Sequence, residues 1–245
     1  MIISISGFDG VGKTTSVELI SKLLSEKYGL KKVSAIDLNG NSEFYNNIED
    51  LDELYDELKE YDIITTRFYM RSPEFQDLQT KIMFAGEDVF KNKEFVKNVI
   101  YCARVEADYW YKKVIKKLIK QGKIIIFDRY YYDEIAYRSI YGIEKNYIDN
   151  IYHDYPKSDI AFFLSAPIEF IFKRNFKRED IKTTLFKSNQ KMQELYINLE
   201  EISKDYNMLK IEVENKTREE IVSKIFEILS DNKCFKENIQ KLKMV

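Results

Sequence analysis

Residues 7–14 read Gly-Phe-Asp-Gly-Val-Gly-Lys-Thr and match the pattern G-x-x-x-x-G-K-[ST] at every fixed position. The apolar residues 2–6 before them predict a short buried strand, and residues 15–27 have the apolar spacing of a helix. The stretch therefore joins a strand to a helix N-terminus, where unpaired N–H groups and the helix dipole favour an anion. This context predicts a loop that binds the phosphates of a nucleoside triphosphate.

Each residue type in the loop has a predicted task. Glycine lets the backbone curl around phosphate oxygens without Cβ clashes. We expect Lys13 to lie exposed on the loop and reach the outer phosphates, and the Thr14 hydroxyl to bind Mg²⁺. The predicted nucleotide-binding residues are Gly7, Gly10, Val11, Gly12, Lys13, Thr14 and Thr15.

The composition limits the possible partners and compartments. Acidic and basic side chains nearly balance, 41 against 39, which argues against nucleic acid as a partner. No apolar run approaches the length needed to span a membrane. The two cysteines and the single histidine show no metal-ligand spacing. We expect a cytoplasmic protein that has no membrane partner.

Five apolar runs predict strands, and a sixth strand is possible. The five are residues 2–6, 32–38, 123–128, 159–165 and 208–213, and the possible sixth is 63–67. Residues 124–127 and 160–164 are continuously apolar, which is typical of parallel strands covered on both faces. Helical patterns separate the runs, including one that starts with a Thr217–Glu220 capping box. The sequence predicts an α/β P-loop NTPase fold, a doubly wound five-stranded parallel sheet with helices on both faces.

The chain is predicted to form one P-loop domain, residues 1–231, followed by a C-terminal helical tail at 232–245. At 245 residues it has the length of a single α/β domain. Residues 39–61 are acidic and weakly patterned, and they fit either a helix or a surface insertion. Their charges fit a solvated face better than a binding role.

Asp128 and Arg129 directly follow the strand predicted at 123–128. In open α/β sheets, ligands bind beyond the carboxyl ends of the strands. An aspartate placed there can hold Mg²⁺, and an arginine can bind a phosphate with two parallel hydrogen bonds. The alternative is a surface ion pair between the two side chains.

Four short motifs stand out along the chain: residues 8–15, residues 101–105 (Tyr-Cys-Ala-Arg-Val), residues 128–130 (Asp-Arg-Tyr) and Ala136-Tyr137. Together they resemble the motifs of the thymidylate kinase family. The resemblance continues through residues 164–196 and so spans most of the chain. It implies a nucleoside monophosphate kinase that phosphorylates dTMP to dTDP, with ATP and Mg²⁺ as cofactors and a homodimeric assembly.

The resemblance also assigns roles to individual residues. Asp9 would contact the sugar hydroxyl of the acceptor, Arg129 would clamp the acceptor phosphate, and Arg67 would be another contact to that phosphate. Arg104 would lie near the acceptor base and phosphate, although its helical position also fits a packing arginine. The predicted substrate-binding residues are Asp9, Arg67, Tyr101, Arg104, Arg129 and Tyr137, and the predicted metal ligands are Thr14 and Asp128.

A basic segment predicts a helical lid at about 173–185. Lys173-Arg174 and Lys177-Arg178 repeat at a spacing of four, so on a helix both pairs share a face. Val11 stands where some family members place an arginine, so the charge of the transferred group would be met from the lid. A solvated basic face is the alternative. The predicted catalytic residues are Lys13, Arg129, Arg174 and Arg178.

The sequence departs from the family pattern at the acceptor side. Residues 68–70 (Phe-Tyr-Met) replace Glu-Pro-Gly-Gly, Asp133 replaces a serine, and Ile100 replaces a base-stacking phenylalanine. Arg104 and Asp128 are 24 residues apart, about one helical turn more than expected. The choice of acceptor base therefore stays open at this point.

Two other functions also stay open. A deoxynucleoside kinase on the same fold would phosphorylate a sugar hydroxyl, with Asp9 or Asp133 as base, although such enzymes generally carry D/E-R-S. A regulatory nucleotide-binding protein would keep the loop but turn over slowly. The retained cations Lys13 and Arg129 argue against that second alternative.

Overall fold

The computed structural model describes residues 1–34, 51–68, 73–84, 87–175 and 188–244. The strands are β1 Ile2–Gly7, β2 Lys32–Ser34, β3 Ile63–Thr66, β4 Ile124–Asp128, β5 Ile160–Ser165 and β6 Leu209–Glu212. The helices are α1 Lys13–Tyr28, α2 Leu51–Leu58, α3 Pro73–Phe84, α4 Lys93–Trp110, α5 Lys116–Lys120, α6 Tyr131–Ser139, α7 Lys145–Tyr152, α8 Ile168–Asn175, α9 Asn189–Asp205, α10 Arg218–Asp231 and α11 Lys233–Leu242. A 3₁₀ turn, Glu87–Lys91, precedes α4, and a π-helical turn, Tyr111–Ile115, joins α4 to α5.

The six strands form one parallel sheet in the order β2-β3-β4-β1-β5-β6. The prediction of a doubly wound parallel sheet is confirmed, but five strands was wrong, because the possible sixth run forms β3 between β2 and β4. The described strands otherwise begin and end within one or two residues of the predicted runs. Residues 35–38, the end of the predicted second strand, lie outside the described residues.

The core lies around the central strands. β3, β4 and β1 are buried along their whole length, and β5 is buried at all positions but Ala161. The edge strands β2 and β6 are largely exposed. For β4 and β5 this matches their nearly continuous apolar sequence, because a strand covered on both faces keeps no polar side.

Two groups of helices cover the sheet. α1 packs with α10 and α11 on one side, and α6 packs with α7 and α9 on the other. The Thr217–Glu220 capping box is present at the start of α10, with both reciprocal hydrogen bonds formed. In the tail, Phe235 of α11 is fully buried, and its ring meets that of Tyr28 edge to face.

The helical segment from α4 to α5 is interrupted by the π turn Tyr111–Ile115. In its π turn the Lys116 N–H bonds to the Tyr111 carbonyl, five residues back. A π turn accommodates one additional residue and rotates the helix beyond it. Val114, Ile115 and Leu118 point into the core after this rotation, and Gly122 then ends the helix with φ 81°.

The described part of the acidic segment is a helix. α2 buries Leu51, Leu54 and Leu58 and exposes most of its acidic side chains, which fits the predicted solvated face. Asp52 pairs with Lys117 at 2.8 Å across to α5. Residues 39–50 lie outside the described residues.

Candidate functional site

The loop between β1 and α1 has the conformation that glycine permits. A Cβ added at Gly7 would lie 2.5 Å from the Leu164 carbonyl oxygen, so the loop and β5 approach each other too closely for a side chain there. Gly12 has φ 100° and is the N-cap of α1, with no side chain capping the helix. The first N–H groups of α1 therefore face the loop without a capping side chain, as an anion site requires.

Lys13 is not exposed on the loop, contrary to our expectation. It is the first residue of α1 and only 5% exposed. Its Nζ donates a 2.8 Å hydrogen bond to the Phe8 carbonyl and lies 3.9 Å from Oδ1 of Asp9. Burial, assisted by the neighbouring Arg129, lowers the pKa of Lys13 to about 8.

Thr14 and Asp128 lie together, as the predicted metal site requires. The Thr14 hydroxyl donates a 2.8 Å hydrogen bond to Oδ2 of Asp128. Asp128 is 2% exposed, and its other oxygen, Oδ1, is buried without a hydrogen-bond partner among the described residues. Such a buried oxygen is unfavourable unless a ligand satisfies it.

Arg129 connects the end of β4 with the loop. Its backbone is left-handed, with φ 71°, an uncommon and costly conformation for a residue with a side chain. The guanidinium pairs through Nη2 with Asp9, and its Nη1 lies 3.4 Å from the Gly7 carbonyl. It also lies over the ring of Tyr137, 4.7 Å from the ring centroid, while the Tyr137 hydroxyl donates to Asp9 at 3.0 Å. The structure thus brings together three predicted substrate-binding residues.

Asp133 supports Arg129 from the buried side. It is 2% exposed, and its Oδ1 lies 3.3 Å from Nη1 of Arg129. Its Oδ2 accepts hydrogen bonds from the Ser6 hydroxyl, at 2.6 Å, and from the Tyr130 N–H, at 3.1 Å. Burial raises the pKa of the Asp133 carboxyl, and the nearby Arg129 charge opposes that shift.

Arg104 and Tyr101 contact α7 and the loop after it, and Arg104 also contacts Asp108 of its own helix. The Arg104 guanidinium pairs with Asp154 at 2.7 Å and with Asp108 at 3.1 Å. It also lies 4.6 Å from the ring centroid of Tyr155. Tyr101 is half exposed, and its hydroxyl lies 2.7 Å from that of Tyr147. These contacts fit a packing arginine, which is one of the two roles that the sequence leaves open for Arg104.

Arg67 follows β3 at the carboxyl edge of the sheet. β3 pairs with β4 in a register that sets Thr66 beside Phe127, so Arg67 comes level with Asp128. The next residue, Phe68, is 4% exposed and meets the rings of Tyr130, Tyr152 and Tyr155 at centroid distances of 5.1, 5.5 and 5.0 Å. An aromatic cluster therefore stands where the family has Glu-Pro-Gly-Gly.

The structure describes only the first part of the predicted lid. Arg174 is in the last turn of α8, exposed, with its guanidinium carbon 5.5 Å from the ring centroid of Phe170. Arg178 and the rest of the lid up to residue 185 lie outside the described residues.

A cavity of about 400 Å³ opens at the carboxyl ends of β5 and β6. Ser165, Tyr196 and Glu212 are among its lining residues. β5 is the neighbour of β1, and Leu164, the residue before Ser165, pairs with Gly7 at the start of the phosphate loop. The size of the cavity is within the range of small-ligand pockets.

Comparison with known proteins identifies the family. The family model described as thymidylate kinase matches residues 87–225, more than half of the chain. The chain belongs to the thymidylate kinase family. This membership agrees with the Asp128-Arg129-Tyr130 segment, which lies within the matched residues.

Curated relatives and solved structures agree with this assignment. The probable thymidylate kinase 1 of Saccharolobus solfataricus is 26% identical over 238 residues, which cover 94% of this chain and 97% of the relative. The probable thymidylate kinase of Methanocaldococcus jannaschii is 35% identical over 121 residues, 49% of this chain and 60% of the relative. The solved thymidylate kinase of Candida albicans superposes with a TM-score of 0.63 at 22% identity, covering 96% of this chain and 92% of that structure. At that identity, the likeness concerns the fold.

Two residues of the site were not singled out for it from the sequence. Ser6 is a hydroxyl within an apolar strand, and nothing in its local pattern indicates a role. Asp133 was noted as a departure from the family's serine and as a possible base of a deoxynucleoside kinase, not as a partner of Arg129. Their contact joins β1 to α6, so only the packing of the two elements reveals it.

Proposed function

We propose that this thymidylate kinase family member transfers the γ-phosphoryl group of ATP to dTMP, giving dTDP and ADP. The observation that carries the proposal is the position of Asp9 between two cations. Its carboxylate pairs with Arg129 and lies 3.9 Å from Nζ of Lys13. Only the Asp9 carboxylate therefore separates the lysine proposed for the donor phosphates from the arginine proposed for the acceptor phosphate. Phosphoryl transfer requires the two phosphates to be this close.

The chemistry needs little from the protein beyond position and charge. A monophosphate acceptor is already anionic at pH 7, so no general base is required. Lys13 would bind the outer donor phosphates and Arg129 the acceptor phosphate. The buried position of Lys13 strengthens its interaction with an anion, because fewer water molecules screen it.

We propose that Thr14 and Asp128 hold Mg²⁺. The orphaned, buried Oδ1 of Asp128 and the adjacent Thr14 hydroxyl are oxygen ligands of the type this ion prefers. Within the described ranges, no group of three or more His, Cys, Asp or Glu side chains could hold a metal. Nucleotide phosphates and water would therefore complete the coordination, and the bound ion would neutralise phosphate charge.

The remaining predicted residues are proposed to complete the substrate sites. Arg67, level with Asp128 at the sheet edge, would be a second contact to the acceptor phosphate. Arg104 would reach the acceptor base only if it releases Asp154, whereas Tyr101 is half exposed and contacts Tyr147 instead. Arg174 and Arg178 of the lid would meet the charge of the transferred group. The cavity beside β5 would receive the base of ATP.

The contacts of Asp133 argue against a deoxynucleoside kinase. A base for a sugar hydroxyl must be free to accept its proton. Asp133 is buried and bonded to Ser6, Tyr130 and Arg129. The other candidate, Asp9, lies between two cations, which makes a carboxylate a weak base.

The proposed activity is tested by ADP formation from ATP against a panel of nucleosides and nucleoside monophosphates. We expect turnover with dTMP and none above background with thymidine. Turnover with nucleosides alone would establish the deoxynucleoside kinase. ATP hydrolysis that no acceptor stimulates would establish a regulatory protein. Tight binding and turnover of another nucleoside monophosphate, with none of dTMP, would support a monophosphate kinase whose acceptor has a different base.

We also propose a homodimer formed through the outer face of α4. Tyr101, Val105 and Tyr109 are 51%, 68% and 53% exposed and follow one another at a spacing of four, so they form an apolar stripe along this helix. Val105→Glu should give a monomer in sedimentation equilibrium without lowering the melting temperature. A dimer that tolerates this charge would place the interface elsewhere.

A cytoplasmic location is proposed from the cysteines. Cys102 and Cys234 are both exposed and free, which suits a reducing compartment. Among the described residues, no helix combines the length and the apolar character needed to cross a bilayer.

We propose residues 1–231 as one kinase domain, with the tail packed on it through Phe235.

A further inference from the structure

Asp133 and Asp9 hold the same guanidinium but differ in how firmly they are fixed. The side chain of Asp9 is 31% exposed, and it pairs with Nη2 of Arg129. The side chain of Asp133 is 3% exposed, and it pairs with Nη1. An incoming anion can displace the exposed carboxylate, whereas the buried one is enclosed and bonded on its other oxygen.

The fixation of Asp133 comes from two different elements. The Ser6 hydroxyl belongs to β1, one residue before the phosphate loop, and donates to Oδ2 at 2.6 Å. The Tyr130 N–H belongs to the start of α6 and donates to the same oxygen at 3.1 Å. The carboxylate is thereby held relative to both the sheet and the helix, and Oδ1 is left for Arg129.

The backbone of Arg129 does not fix the position of its guanidinium, so the side chain needs support from its neighbours. The residue is in the left-handed region, with φ 71°, between the end of β4 and the N-cap of α6. An arginine side chain has several rotatable bonds, and fixing it costs conformational entropy. A buried carboxylate that selects one guanidinium position lowers this cost before the substrate arrives.

We propose that Asp133, held by Ser6, is a positioning residue that fixes Nη1 of Arg129 so that Nη2 exchanges Asp9 for the acceptor phosphate. This inference rests on the proposed function, since it requires an acceptor that carries a phosphate. It gives a reason for an aspartate where the family has a serine, because a serine at residue 133 is too short to pair with Arg129.

The test measures steady-state constants of Asp133→Asn, which keeps the shape and removes the charge. We expect the KM for dTMP to rise roughly ten-fold, with a smaller change in kcat and in the KM for ATP. Asp159→Asn is the matched control, since Asp159 also accepts a backbone N–H, that of Ile2, but at the opposite edge of the sheet. This control should leave all three constants unchanged.

A double-mutant cycle separates positioning from a structural role. In an Arg129→Ala background, Asp133→Asn should raise the KM for dTMP no further, because the guanidinium that Asp133 positions is absent. The same fold-change in both backgrounds would overturn the proposal. A fall in the KM for dTMP would also overturn it, since Asp133 would then only compete with the phosphate for Arg129.

Ser6→Ala gives an independent measurement if Asp133→Asn does not fold. It removes only the hydroxyl that holds Oδ2, so the KM for dTMP should rise a few-fold with the KM for ATP unchanged. An unchanged KM for dTMP in Ser6→Ala would exclude the role of Ser6. The unaltered protein is assayed first: if it does not phosphorylate dTMP, the proposed function fails, whereas active protein with unaffected variants contradicts this inference alone.

Discussion

The Thr14 hydroxyl donates a 2.8 Å hydrogen bond to Asp128 across a sequence separation of 114 residues. Thr14 is in the first turn of α1 and Asp128 is the last residue of β4. β1 and β4 are neighbours in the sheet, with Ile5 set beside Asp128. The pairing of two parallel strands therefore brings the phosphate loop and the strand-end carboxylate into one site.

Removal of the Asp128 charge should weaken Mg²⁺ binding. In Asp128→Asn, the buried Oδ1 that would face the ion becomes part of a neutral amide, which is a poorer ligand for this ion. We expect the free Mg²⁺ concentration at half-maximal rate to rise at least several-fold, measured by titration at fixed ATP. Asp62→Asn, an aspartate at the opposite edge that accepts the Lys31 N–H, is the control. An unchanged Mg²⁺ requirement would exclude Asp128 as a ligand.

Binding of ATP near pH 8 should take up protons through Lys13. The pKa of Lys13 is lowered to about 8 by burial, and an anionic triphosphate stabilises the charged form and raises that pKa. Affinity should therefore be greatest below pH 8 and fall as pH rises past it. Calorimetry in two buffers of different ionisation enthalpy measures the uptake.

The matched variants for this prediction are Lys13→Ala and Lys22→Ala. Lys13→Ala should abolish the proton uptake and lower kcat by roughly 10²–10³. Lys22 lies on the same helix, pairs with Glu26 and is well exposed, so Lys22→Ala should behave as the unaltered protein. Turnover of Lys13→Ala within a few-fold of normal would contradict the assignment of the phosphate loop.

Arg129→Ala should affect the acceptor far more than ATP. A charge-assisted contact of ~1.5–3 kcal/mol corresponds to roughly ten- to a hundred-fold in the KM for dTMP. Steady-state kinetics with each substrate varied in turn measure this. Arg218→Ala on the exposed start of α10 is the control. A larger effect on ATP than on dTMP would place Arg129 at the donor instead.

Arg174→Ala should lower kcat more than it raises the KM for ATP. Arg174 is exposed on α8 and contacts Phe170, so it is available to the group being transferred. A contact formed only in the transition state affects kcat, whereas a contact to bound ATP affects KM. Single-turnover rates at saturating ATP separate the two cases, and a pure KM effect would limit Arg174 to holding the nucleotide.

Much of the fold could be predicted from local patterns. Continuous apolar runs identified β4 and β5 because strands buried on both faces have no polar side. β3 was left uncertain because it is only four residues long and half threonine, Ile63–Thr66. Its burial depends on neighbours that are distant in sequence, so only the assembled sheet establishes it.

The site residues whose positions follow from a sequence motif could be predicted. Those whose positions depend on the packing of helices and strands were harder to predict. The pairing of Thr14 with Asp128 follows from the phosphate-loop pattern and the strand-end rule. The burial of Lys13 does not follow from these, because the side chain folds back onto the Phe8 carbonyl. The outward direction of Tyr101 depends on how α4 packs, which its sequence spacing does not determine.

The most direct measurement follows the label from ATP that carries ³²P at its γ position into the product formed with dTMP. We predict dTDP labelled only on its outer phosphate, formed in equal amount to ADP, and no labelled dTMP when thymidine replaces dTMP. Two results would contradict the assignment of Arg129 to an acceptor phosphate. One is labelled dTMP formed from thymidine, and the other is release of the label as inorganic phosphate without transfer to an acceptor.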